Sequence, residues 1–308
     1  MTKIRVAVLR GGPSPAYDDS LNTGSNILSL LRKMPEKYEP LDVFISRDGE
    51  WHHRGLVEEP YKILSLADVA WSAMHGHYGE DGQVQKLMED LQIPFVGAGS
   101  VASSIAHNKD MAKNLYRQHS FLTPEHYLLN ADEFSDEQLV HIFRTYLHPV
   151  IIKPATGVRA MGVRIANTFQ ELKDAVNKTF EHSPKVMVEE YISGAVVTCV
   201  VVENVRGEQL YTLMPVHLEI KKKTPLPTLE ESRKIQDMSR VAHQALGMRH
   251  YSSSDFIITP GGKIYILETN SLPTFYEKSL MHQALKKTGW TSHDFADHCI
   301  RIALGRTE

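Results

Sequence analysis

Three oxygen-bearing side chains near the end of the chain are spaced for metal chemistry. Asp255 lies on one arm of an expected hairpin, and Glu268 and Asn270 lie on the other. Residues two apart on a strand share a face, so all three can converge. Two carboxylates and an amide oxygen form a hard, all-oxygen site of the kind Mg²⁺ accepts, with water or phosphate completing its shell. A second pattern is Lys153–Gly162, where an apolar strand ends in lysine and a loop of small residues follows. Backbone N–H groups of such a loop can cover phosphates while the lysine meets their charge. The run lacks the Gly-Lys-Ser/Thr ending of a P-loop. A third pattern, Val188–Ile192, ends a strand with two acids and then Tyr191 and Ile192. Backbone groups and Glu189 could read an adenine edge there, with Tyr191 and Ile192 walling the ring. The fourth, His75–Gly82, is a glycine-punctuated turn before a helix, in which His75 and Glu80 can orient a small polar substrate. Taken singly, each has a plainer alternative: a wet strand face, a surface loop, an edge strand, a packed histidine.

Positioning such groups takes a layered α/β framework. Ile4–Leu9 reads as a buried strand opening into Gly11–Gly12, followed by a helix capped by Asp19 or Ser20 and running to about Lys33. Strands are expected at Leu41–Ile45, Val69–Met74 and Pro94–Val96, with a helix over Gln83–Leu91. This alternation implies a small, mostly parallel open sheet, with ligands gathering at the carboxyl ends of its strands. A second region from Ser100 holds helices at Asn108–Gln118 and Phe169–Phe180 and a strand at Val150–Lys153. A third, from Val186, holds strands at Val186–Glu190, Val196–Val202 and Gln209–Pro215, a helix over Leu229–Leu246, the hairpin, and two closing helices, the last capped by Ser292. The expected lobes are therefore 1–99, 100–185 and 186–308, as an α/β protein with α+β lobes around a cleft.

Bulk properties narrow the class further. The chain has 308 residues, 42% hydrophobic and 23% charged, enough for two or three modest lobes. A net charge of −3 argues against general binding to nucleic acid or anionic membranes, though it leaves room for a local basic pocket. Cys199 and Cys299 have no partners at metal-ligand spacing and read as buried thiols. No apolar run approaches a membrane span and no leader pattern opens the chain, so a cytoplasmic location is expected.

In order and spacing the patterns resemble the D-alanine–D-alanine ligase family. Gly11–Ser14 with Ser20–Gly24 is similar to its opening loop and helix, and His75–Gly82 with Gln85 to its second signature. Ser103–Lys109, Lys153–Pro154, Glu189–Ile192, Leu246–Phe256 and Leu267–Pro273 continue the series, so the resemblance spans about residues 3–305. It implies an ATP-grasp fold and a carboxylate–amine ligase acting through an acyl phosphate to form a dipeptide for peptidoglycan. By the resemblance, Lys109, Lys153 and Lys221 touch ATP phosphates, and Glu189, Glu190 and Ile192 line the adenine pocket. Asp255, Glu268 and Asn270 hold two Mg²⁺ or Mn²⁺ ions, Ser279 and Leu280 face the second amino acid, and a homodimer forms through the first lobe.

The amino-acid half departs from that pattern. Where the family has an ammonium-binding glutamate, a substrate-fixing serine, an oxyanion-stabilising arginine and a following glycine, this chain has Ala16, Arg159, Ser253 and Thr274. An acid expected near the ribose is Val196, and the lid after Lys221 is short. Arg159 is expected to take the catalytic role lost at Ser253, alongside His75, because an arginine fork can hold a carboxylate or phosphate with two donors. Asp18 or Asp19 is expected to replace the ammonium contact. Two alternatives stay open: a ligase for another amino acid or small carboxylate, and a nucleotide-binding homologue without catalysis.

Overall fold

The computed structural model describes residues 2–157, 162–217 and 226–306, which form three sheets. The first sheet is built on β1 (Ile4–Gly11), whose Val6–Leu9 centre is fully buried, as a strand covered on both faces must be. It pairs in parallel with β2 (Tyr38–Ile45) and β5 (Val69–Ser72), and β5 pairs in parallel with β6 (Phe95–Val96). Two short antiparallel strands, β3 (Trp51–His53) and β4 (Leu56–Val57), extend the β2 edge. Helices α1 (Tyr17–Arg32), α2 (Pro60–Leu64) and α3 (Gln83–Asp90) complete this layer. The expected cap at Asp19 or Ser20 is corrected. The helix starts at Tyr17, because Ser14 Oγ already accepts the Ala16 N–H at 3.1 Å. Ser20 turns inward instead and accepts the His75 N–H at 2.9 Å.

Helices α4 (Ser100–His107) and α5 (Lys109–Gln118) follow, joined at Asn108, whose side chain caps α5 by accepting the Met111 N–H. The second sheet has the order β7 (His126–Asn130), β10 (Lys185–Glu190), β8 (Val150–Pro154), β9 (Arg164–Ala166), all antiparallel. Helices α6 (Asp136–Thr145) and α7 (Phe169–Phe180) cover one face, burying Leu139, Ile142, Leu172 and Val176.

The third sheet joins β11 (Ala195–Val205), β12 (Glu208–Thr212), β13 (Val216–His217), β14 (Tyr251–Ile258) and β15 (Ile264–Asn270). Helix α8 (Leu229–Ala245) packs on it, and α9 (Leu280–Lys287) and α10 (Ser292–Ala303) close the chain. The cap of α10 is Thr291 rather than Ser292: its hydroxyl accepts the Asp294 N–H at 3.1 Å while the Asp294 carboxylate reaches back.

Packing redraws the expected lobe boundaries. Strand β10 belongs to the second sheet, so a division at 186 would cut through it. An apolar strand does not say which neighbour it pairs with. Helices α4 and α5 pack on the third sheet, where Ala102, Ala112 and Tyr116 share a core with Val197, Phe256 and Ile266. The first and third sheets also share a core, in which Val6, Val8 and Trp71 meet Val200, Tyr251, Phe275 and Phe295. Trp71 Nε1 donates to Tyr251 Oη at 3.2 Å inside it. Both cysteines are buried and free, and burial pushes the Cys199 thiol up to about 12. Among the described residues no helix is long and apolar enough to cross a membrane.

Candidate active site

The β14–β15 hairpin aligns the oxygen ligands. Asp255 pairs with Glu268 and Ser253 with Asn270, with a register shift between Asp255 and Phe256. Such bulges bend a strand and re-aim its side chains. Thr198 Oγ1, from the neighbouring β11, donates to Asp255 Oδ1 at 2.5 Å, and Asn270 Nδ2 lies 3.3 Å from Asp255 Oδ2. Asp255, Glu268 and Asn270 all line one cleft of about 630 Å³. The described residues contain no group of three or more His, Cys, Asp or Glu side chains that could hold a metal. Two carboxylates and an amide oxygen fit Mg²⁺ nonetheless, because that ion keeps several waters and phosphate oxygens rather than filling its shell with protein.

Cations line the same cleft. Lys109 opens α5, its Nζ donating to the Gly157 carbonyl at 2.6 Å and lying 3.6 Å from Glu268 Oε2. Lys153 is the penultimate residue of β8, and its Nζ lies 2.6 Å from Glu189 Oε2. The other Glu189 oxygen, Oε1, lies 2.8 Å from Lys113 Nζ, an ion pair without the geometry of a directed hydrogen bond. Glu189 also lines the cleft, so the carboxylate expected beside an adenine is held there by two lysines. Burial alone would push its carboxyl up, but Lys153 and Lys113 outweigh that and hold it below the usual range. Lys113 is absent from the sequence reading. The signal for it was the buried face of α5, where Lys109, Ala112, Lys113 and Tyr116 follow helical spacing. A lysine in that stripe needs a buried partner.

The remainder of the lining mixes apolar and hydroxyl side chains. The former include Tyr191, Ile192, Ile151, Val163 and Val196, beside Glu190. The latter include Ser253, Thr274, Tyr276 and Ser279, and Leu280 lines the cleft too. Ser279 caps α9, accepting the His282 N–H at 3.2 Å. Glu80 reaches the wall with its Oε2 accepting the Gly76 N–H at 2.6 Å. His75 does not line the cleft. It is buried, with Nδ1 3.3 Å from Glu80 Oε1 and Nε2 3.0 Å from Thr23 Oγ1, so its expected direct role gives way to holding Glu80. Asp18 is exposed on the first turn of α1 and is not part of the lining, so the structure does not bring it to the substrate. Arg159 and Lys221 lie outside the described residues. Thr198 and Lys278, unread in the sequence, are among the lining residues.

Two antiparallel lobes closing on a nucleotide-sized cleft, with an acidic hairpin and Lys109 on one side and Lys153 on the other, define an ATP-grasp protein. The family described as D-ala D-ala ligase C-terminus matches residues 115–224 and 217–301. A D-alanine–D-alanine ligase of Geobacter sulfurreducens is 30% identical over 96% of this chain and 93% of its own length. The vancomycin/teicoplanin A-type resistance protein VanA of Enterococcus faecium is 29% identical over 99% of each chain. A crystal structure of the Bacillus anthracis D-alanine–D-alanine ligase complexed with ATP superposes with a TM-score of 0.80 at 25% identity, covering 98% of this chain and 97% of that one. The chain belongs to the D-alanine–D-alanine ligase family.

Proposed function

We propose that this chain joins two D-alanine molecules at the expense of ATP, using the cleft between the second and third sheets. The carrying observation is one cleft lined both by Asp255, Glu268 and Asn270 and by Lys109 and Lys153. In this reading Glu190, Tyr191 and Ile192 border the adenine, and Lys109 and Lys153 meet the phosphates. Asp255, Glu268 and Asn270 would hold Mg²⁺, which when bound neutralises charge on the transferring phosphoryl oxygens. Thr198 holds Asp255 in place for that task. The carboxylate of the first amino acid attacks the γ-phosphorus, ADP leaves, and an acyl phosphate forms. The amine of the second then attacks the acyl carbon, phosphate departs, and the amine gives up a proton. Glu80, fixed by His75 and the Gly76 N–H, faces the substrates, and Ser279 and Leu280 border the second one. Closing such a cleft excludes water that would hydrolyse the acyl phosphate.

A second reading is favoured by Ser253 and Thr274, which line the cleft where the family resemblance implies an arginine and a glycine. Losing one oxyanion donor costs roughly 3–4 kcal/mol of barrier, so a different amino acid or hydroxy acid as partner would suit this shell. Mass analysis after incubation with ATP, Mg²⁺ and D-alanine, alone and with other D- and L-amino acids and 2-hydroxy acids, separates the readings. A D-alanyl-D-alanine mass with D-alanine alone supports the first. A product only in mixtures supports the second, and no product with any pair ends both. Homodimerisation through the first lobe is proposed alongside, supported by exposed apolar side chains at Leu56, Val57 and Tyr61 on its edge.

A further inference from the structure

Two lysines and one carboxylate stand in contact at the wall of the cleft. Lys153, Glu189 and Lys113 come from β8, β10 and α5, with contacts of 2.6 and 2.8 Å. Lys153 and Glu189 line the cleft, whereas Lys113 lies behind them and is wholly buried. Lys113 Nζ also donates to Thr123 Oγ1 at 2.9 Å and to the Pro124 carbonyl at 3.0 Å. These two hydrogen bonds and the ion pair with Glu189 anchor it.

A lysine that engages a phosphate must loosen its hold on the carboxylate it rests against. The Lys153–Glu189 contact is short and charge-assisted, hence strong. If Glu189 had no other cation, moving Lys153 to a phosphate would leave a buried carboxylate uncompensated, the costliest change a buried pair can undergo. We infer that Lys113 is a positioning residue: a fixed counter-ion that keeps Glu189 neutralised and so frees Lys153 Nζ to engage the phosphates of the nucleotide. The inference rests on the ATP-binding reading given above. Lys113 itself touches no substrate.

The charge on Lys113 then sets how freely Lys153 moves. The groups facing it are Glu189 and Lys153, Arg117 on its own helix, and His126 on β7. Burial lowers the Lys113 ammonium to about 8, with Glu189 pulling it back up and Lys153 and Arg117 adding to the fall. Once Lys113 is neutral, Glu189 has only Lys153 and retains it. Affinity for ATP should therefore drop as pH rises through that value, while affinity for adenosine, which has no phosphates, should not.

The test is calorimetric titration of the whole protein with MgATP and with adenosine, at about pH 7.5 and about pH 9, for wild type, Lys113→Met and Lys113→Arg. Wild type should lose about tenfold in ATP affinity at the higher pH, and Lys113→Met should show a similar loss already at the lower one. Lys113→Arg stays charged and should keep the affinity at both. In steady-state kinetics the Met variant should raise KM for ATP with kcat little changed. Wild-type ATP affinity in Lys113→Met, or the same alkaline loss in Lys113→Arg, would overturn the inference. If neither variant folds, the wild-type comparison of ATP with adenosine decides: equal pH dependence for both ligands refutes it. Wild type that binds neither ligand at the lower pH would instead remove the nucleotide reading itself.

Discussion

Asp255 is the hub of the candidate metal site, since it touches Thr198 on one side and Asn270 on the other. Supporting groups of this kind typically contribute 10–100-fold to metal affinity. Thr198→Val, which removes the hydroxyl and keeps the shape, should raise the Mg²⁺ concentration for half-maximal ATP turnover by roughly that factor. A Mg²⁺ titration of phosphate release checks it, and an unchanged midpoint would show that Thr198 does not aim Asp255. The acids themselves were readable because strand periodicity places alternate residues on one face, and the lysines because each lies at or beside the end of an element. Lys113 and Thr198 were not. Their importance comes from neighbours on other elements, and no local pattern in the sequence records a contact between α5 and β10 or between β11 and β14. His75 was readable as a polar residue in a glycine-rich turn, but its burial behind Glu80 was not.

At the scale of elements, the loop after β5 must return sharply enough to put Glu80 at the cleft wall. Gly79 makes this possible, because a Cβ there would lie 2.0 Å from the Met74 carbonyl oxygen. Gly79→Ala must therefore displace the loop that carries His75 and Glu80. It should cost about 1–3 kcal/mol of stability, read by urea or thermal unfolding, and raise KM for the amino acid more than for ATP. Wild-type stability and kinetics would mean the loop is looser than its packing implies. The parallel core of the first sheet was legible, since β1 and β5 carry the apolar runs Val6–Leu9 and Val69–Trp71 and β2 alternates buried Leu41, Val43 and Ile45 with less buried positions. Strands β3, β4 and β7 and helix α6 went unread, being short or weakly patterned: α6 buries only Leu139 and Ile142. Assigning β10 to the third lobe failed for a different reason, as its sequence is that of a strand but its partners lie on either side of it in the second sheet.

For the whole molecule, the decisive feature is that the first and third sheets share one core while the second stands across the cleft. A hydrogen bond ties the shared part further: Gly97 N–H donates to His250 Nδ1 at 3.0 Å. Burial, aided by Arg249, lowers the His250 imidazole from 6.5 to about 4 despite Glu203. The unfolded chain therefore binds a proton that the folded one refuses. Stability is fully present above pH 6.5 and falls as pH drops toward 4, by an amount on the order of 3 kcal/mol. His250 has φ 65°, a conformation asparagine tolerates, and an asparagine oxygen can also accept from Gly97. His250→Asn should thus flatten the dependence of unfolding free energy on pH across that window, measured by urea denaturation. Parallel curves for the two proteins would contradict this. Such long-range pairing, 153 residues apart in the chain, cannot be seen in the sequence before the fold is known.

Ligation requires the hairpin, the lysines and the substrate wall to meet in one closed space. The most direct test is ADP formation with D-alanine in rising Mg²⁺, comparing wild type with Asp255→Asn and Glu268→Gln. Wild type is expected to turn over only when divalent cation is present, and each variant to fall by more than the roughly 10–100-fold typical of a supporting residue, while folding as wild type does. Turnover that persists without a divalent cation, or that survives both substitutions, would contradict the central claim that this hairpin holds the metal for phosphoryl transfer.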